Sequence, residues 1–230
     1  MPRKSFDRDL QRLQDRVLQL GGVVERAIVK SVDALSHRNR EASSELIAGD
    51  RAINEERFAI EGAALTLIAT QQPLAGDLRT LFAVVEIATE LERVADYAKG
   101  IAKVNLVMGD DPLLAPASHL PHMAEMVSSM LHEAIQAFVD GDVALARSIP
   151  EQEHEVDAIH NKVYRELLAL ITADPEITNP ATYLLWAVHN LERAADRVLN
   201  ICERVIFNVT GEIVEFDLEE GEDLGLEGLS

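Results

Sequence analysis

Leu91-Glu92-Arg93-Val94-Ala95-Asp96 and Leu191-Glu192-Arg193-Ala194-Ala195-Asp196 share five of six residues and lie 100 positions apart. Working back from this pair, an offset of 103 superposes the earlier part of each half. Val24, Ile28, Val32 and Leu35 fall on Val127, Leu131, Ile135 and Phe138. Asp50, Ile53 and Asn54 fall on Glu153, Val156 and Asp157. The offset changes by three between helices, where a loop absorbs it. A period this long, carried through apolar and polar positions alike, marks a duplicated structural unit.

Each unit reads as three helices. Phe6, Leu10, Leu13, Val17, Leu20, Val24, Ile28, Val32 and Leu35 recur every three or four residues, a helical stripe of about eight turns. Gly21 and Gly22 interrupt it and suggest a bend. A second helix is expected over Arg40–Thr70 and a third over Leu74–Met108. Gly109, Pro112, Pro116 and Pro121 then read as a connection. Three further stripes follow. The fold expected is all-α: two tandem three-helix bundles, six long helices in all, related by internal duplication. The boundaries are 1–108 for the first unit, 109–121 for the linker, 122–210 for the second unit and 211–230 for a tail. That tail carries eight acids and no Lys or Arg, and a mobile, solubilising segment is expected. Trp186 is expected in the core of the sixth helix.

The formal net charge is −19. Such a surface repels phosphate backbones, so nucleic acid is not an expected partner. No stretch approaches the roughly 18–20 apolar residues of a membrane helix. The start of the chain does not read as a signal peptide. Cys202 is the only cysteine, which fits a reducing, cytoplasmic setting and a role as core filler.

Glu92-x-x-x-Asp96 places two carboxylates one turn apart on one helix face, beside the apolar stripe. Glu192-x-x-x-Asp196 repeats this in register. The second helix of each unit has a motif of the same spacing, Asp50-x-x-x-Asn54 and Glu153-x-x-x-Asp157. In the first unit these motifs centre on residues 52 and 94, so the midpoint between them is Pro73. In the second they centre on 155 and 194, with the midpoint at Asp174-Pro175. Each hairpin therefore brings its two motifs to one height, roughly 30 Å from the turn at about 1.5 Å per residue. Asp50, Asn54, Glu92 and Asp96, and then Glu153, Asp157, Glu192 and Asp196, make two oxygen-rich clusters. Such clusters suit magnesium, calcium, manganese or iron better than a structural zinc. Ordinary helix-surface ion pairing, with Arg57, Arg93 and Arg193 neutralising the acids, is the alternative. His154, His160 and His189 lie near the second cluster in sequence. Asn54 in place of an acid makes the first the weaker site.

No catalytic constellation is legible. Glu151-x-x-His154 is the only ferritin-like spacing, and it lacks a partner. The zinc-protease His-Glu-x-x-His motif and the Gly-x-x-x-x-Gly-Lys phosphate loop are both absent. A metal-binding helical scaffold and a ferritin-like carboxylate metalloenzyme stand as the alternative functions.

Gly21-Gly22-Val23-Val24-Glu25, Gln71-Gln72-Pro73-Leu74-Ala75-Gly76-Asp77-Leu78-Arg79, the two Leu-Glu-Arg hexapeptides and Asn200-Ile201-Cys202-Glu203 together resemble the PhoU family, across residues 5–210. The resemblance implies two three-helix bundles side by side, with metal clusters held by the paired acidic motifs. It implies a cytoplasmic, non-enzymatic and often homodimeric negative regulator of phosphate uptake and phosphate homeostasis. That regulator couples the ATPase subunit of a phosphate transporter to a sensor histidine kinase and meets the membrane only through those partners. Zinc joins iron, manganese and magnesium as a candidate ion. Arg197, where family members often carry histidine, and Asn54 depart from the pattern. The glutamine-rich turn is read structurally: Pro73 starts a helix, Asp77 sits in its first turn and Arg79 meets an acid.

Overall fold

The computed structural model describes residues 2–216. Six long helices account for nearly all of it: α1 (Pro2–Ser36), α2 (Arg40–Gln71), α3 (Gly76–Val107), α4 (Leu120–Asp140), α5 (Val143–Ala173) and α6 (Thr178–Thr210). Short 3-10 turns at Ala115–His119 and Pro175–Ile177 lead into α4 and α6. No residue described is in a strand. The acidic stretch expected to be mobile falls largely on 217–230, outside the described residues.

Local chemistry starts the helices the same way in both halves. The Asn39 side chain accepts from the Ala42 amide at 3.0 Å, and Asp142, 103 residues on, accepts from Leu145 at 3.0 Å. Each satisfies an amide that the helix cannot. Asn39→Ala and Asp142→Ala are each expected to cost about 1 kcal/mol, read as a lower midpoint in urea unfolding with an unchanged slope. Before the caps the chain needs a left-handed residue. Gly141 supplies it at φ 66°, whereas Arg38 adopts φ 56° in the first unit. The Arg38 guanidinium then donates to the Gly109 carbonyl at 2.6 Å and the Asp111 carbonyl at 3.1 Å. One strained residue thus ties the α1–α2 turn to the connection between the units.

Helices α1–α3 form one bundle and α4–α6 the other. The bundles meet through α3 against α6 and α1 against α4. Their apolar stripes merge into one core running from Phe6 to Ile206. Burying each Leu, Ile or Val contributes about 1.5–3 kcal/mol relative to exposure, so this shared core is what positions every surface motif. The two halves contribute the same elements to their interface. Glu90 of α3 faces Asn200 of α6, and Gly100 of α3 faces Asn190 of α6. Moving each residue by 100 converts one contact into the other, the mark of a two-fold relation.

Helical structure runs unbroken through Gly21 and Gly22. Gly21 serves close approach: a Cβ there would lie 3.1 Å from Ile135 Cγ1 on α4. Two expectations are corrected. Trp186 is 56% exposed, because its position falls on the outer face of α6, where the ring packs edge-on against Tyr183 at 6.1 Å. Helix α3 begins at Gly76, three residues after Pro73. There the Arg79 Nε donates to the Asn208 carbonyl at 3.4 Å. Cys202 is buried, and burial pushes its thiol up.

Candidate metal centre

The carboxylate motifs sit on the facing helices α2 and α3, and again on α5 and α6. In the first unit one side chain joins them. Lys99, one turn beyond Asp96, places Nζ 2.6 Å from Asp50 Oδ2 and 3.2 Å from Asp96 Oδ1. Asn54 Nδ2 adds a 3.3 Å hydrogen bond to the same Asp50 oxygen. Asp50 is buried, and its Oδ1 has no hydrogen-bond partner. Glu92 is half-buried and its carboxyl is pushed up, first by burial and then by Asp96, with Arg57 opposing. Sequence reasoning did not find Lys99. Of the three arginines it named, Arg57 pairs with Glu61 at 3.2 Å and Arg93 with Glu90 at 2.6 Å.

The second unit differs in its counter-charges. Glu153 and Asp196 are each about 4% exposed. Burial pushes Glu153 up to about 8, with Asp157, Asp196 and Glu192 adding repulsion. Glu192 is pushed up to about 7 by burial and by Asp196, and Asp196 is raised mainly by burial. Arg193 lies 2.9 Å from Asp196, and Arg197 adds a second, weaker attraction to it. Glu192 Oε2 has no hydrogen-bond partner; His189 Nδ1 stands 3.2 Å away, outside hydrogen-bond alignment. The His160 ring lies 6.1 Å from that of His189, and burial lowers the basicity of both. His154 is exposed, 3.7 Å from Glu153.

The hairpins thus set the acids of each unit near one another. Among the described residues, no three His, Cys, Asp or Glu side chains stand as a ready-formed metal-holding group. The donor set of the second cluster nevertheless fits a cation: buried carboxylates, an orphaned oxygen and two neutral imidazoles within side-chain reach. The first fits less well, because an ammonium already sits between its acids.

A feature that sequence reasoning missed lies at the α2–α3 turn. Leu74, Leu78 and Phe82 are exposed, and Phe82 packs edge-on against Phe207 at 6.0 Å. Their spacing of four was legible as a helix stripe, but its lack of cover was not.

Comparison with known proteins turns on the repeat. The family model described as the PhoU domain matches twice, over residues 17–104 and 120–205. The chain belongs to the PhoU family. A curated relative from Zymomonas mobilis, described as a phosphate-specific transport system accessory protein PhoU homolog, is 35% identical over 208 residues. That match covers 90% of this chain and 88% of the relative. A Clostridium acetobutylicum PhoU homolog is 31% identical, covering 94% of this chain and all of the relative. The crystal structure of the Streptococcus pneumoniae phosphate transport system regulatory protein PhoU superposes with a TM-score of 0.86 at 31% identity. It covers 92% of this chain and all of that one. PhoU from Pseudomonas aeruginosa gives the same TM-score at 28% identity, over 90% of this chain. The two PhoU matches begin 103 residues apart, the offset that aligns the first two helices of each unit. Among the described residues, no helix of this PhoU chain is long and apolar enough to cross a membrane.

Proposed function

We propose that this protein is a cytoplasmic accessory regulator of phosphate transport that acts without catalysis. It couples the ATPase subunit of a phosphate transporter to a sensor histidine kinase and lowers phosphate-starvation output when phosphate is plentiful. The observation that carries this reading is the PhoU domain matched in both halves, over a chain that aligns almost end to end with relatives described as phosphate transport accessory proteins. Homodimerisation and metal binding belong to the same reading. Support for metal comes from the buried, like-charged carboxylates of the second unit. Acids held together at such cost are common where a cation completes the site.

The deciding experiment removes the gene from its source strain and measures secreted phosphatase in high phosphate. Phosphatase is expected to be constitutively high and to fall again when the intact gene is restored. Unchanged repression would overturn the regulatory reading and leave the protein as a scaffold.

A further inference from the structure

The duplicated unit allows each cluster to serve as the reference for the other, position by position. Asp50 corresponds to Glu153, Asn54 to Asp157, Glu92 to Glu192 and Asp96 to Asp196. The neighbours do not correspond in charge. Lys99 becomes Leu199, which is buried at 3% exposure, and Arg57 becomes His160. The first cluster therefore holds three carboxylates with two cations close by. The second holds four carboxylates, with Arg193 and Arg197 acting on Asp196 and no cation bridging its two helices among the described residues.

The geometry of Lys99 is that of a bridging ion. Its Nζ lies between the α2 and α3 motifs, 2.6 Å from one carboxylate and 3.2 Å from the other. The Lys99 side chain is half-buried and its contact with the buried Asp50 is the shielded one, whereas Asp96 is 49% exposed. Lys99 is tethered to the same helix as Asp96, which gives it a high effective concentration at the site. A divalent ion entering there would first have to displace it.

We propose that Lys99 takes the place of a metal ion in the first unit, so that the chain binds metal at the α5–α6 cluster alone. The proposal rests on the metal reading above and narrows it to one site per chain, of four carboxylates and two imidazoles. Neutral imidazole beside carboxylate favours Mn2+, Fe2+ or Zn2+ over Mg2+.

The test is metal stoichiometry. Full-length protein is stripped with chelator and dialysed against Mn2+ at high salt, which removes ions held only by the acidic surface. Bound manganese per chain is then measured by mass spectrometry. One equivalent is expected for the wild type, two for Lys99→Leu and two for the milder Lys99→Gln. Glu153→Gln combined with Asp196→Asn should drop to none. Without metal, the Lys99 variants should melt below the wild type and recover when Mn2+ is added, a readout independent of counting. Two equivalents in the wild type, one of them surviving Glu153→Gln with Asp196→Asn, would overturn the lysine proposal and leave the metal reading standing. A single equivalent in folded Lys99 variants would overturn it too. No bound metal in any of the proteins would overturn the metal reading itself.

Discussion

Metal-free Glu153→Gln should melt above the wild type at pH 9 and close to it at pH 6. Glu153 is buried among Asp157, Glu192 and Asp196, and its carboxyl is raised from 4.5 to about 8. Between those values the native state holds a proton that the unfolded chain has released. Stability therefore falls as pH rises through that range and levels off above it. Glu192 acts in the same direction up to about 7. His160 and His189, lowered in the native state, act in the opposite sense below 6.5, where stability rises with pH. The window from about pH 7 to 8 lies above the values of Glu192 and the histidines and within the range over which Glu153 titrates. There the wild type should lose about 1 kcal/mol per pH unit, or roughly 3 °C in a chain of this size. The glutamine variant should lose much less and end more stable at pH 9 by roughly 1–3 kcal/mol. Scanning calorimetry at stepped pH reads both. A flat wild-type profile with a destabilised glutamine variant would mean that Glu153 has a cationic partner in solution. Mn2+ added at pH 8 should remove most of the wild-type deficit.

A second large effect is expected at the junction of the units. At Gly21 the backbone of α1 passes so close to α4 that a Cβ would sit 3.1 Å from Ile135 Cγ1 and 3.6 Å from two further atoms of that side chain. Gly21→Ala needs only a small shift of Ile135 and gains helix propensity of about 1 kcal/mol, so it should be near neutral. Gly21→Val adds two methyl groups where there is no room and should cost about 1–3 kcal/mol or more. Pairing it with Ile135→Ala should restore part of the loss. That non-additivity in urea unfolding is the signature of direct contact. Equal losses in the single and paired variants would place the damage within α1 instead.

How legible all this was depends on whether the deciding partner is local. The helices, the repeat and the hairpin register follow from periodicity and counting. Lys99 reaching Asp50 and Asp96 at once shows that the α2 and α3 motifs do meet at one height. What stayed hidden depends on contacts between elements far apart in sequence. Arg79 reaches Asn208, 129 residues away. Gly21 answers to Ile135 rather than to its own helix. Trp186 looks like core on hydrophobicity alone, but its angular position on α6 faces outward. Lys99 was findable: aligning it with Leu199 at the offset of 100 exposes a charge present in one copy and not in the other. Attention to the acids alone passed over it.

The two-fold relation between the halves bears on ancestry. Helix α3 packs on its own counterpart α6, and α1 on its counterpart α4. A chain of half this length would present both faces uncovered, and each face is complementary to itself. Two copies of such a half-chain could therefore pair symmetrically, and joining them in one chain turns the encounter of two molecules into an event within one. The second copy then no longer had to be identical to the first. Freed from symmetry, one half carries a lysine where the other carries a leucine.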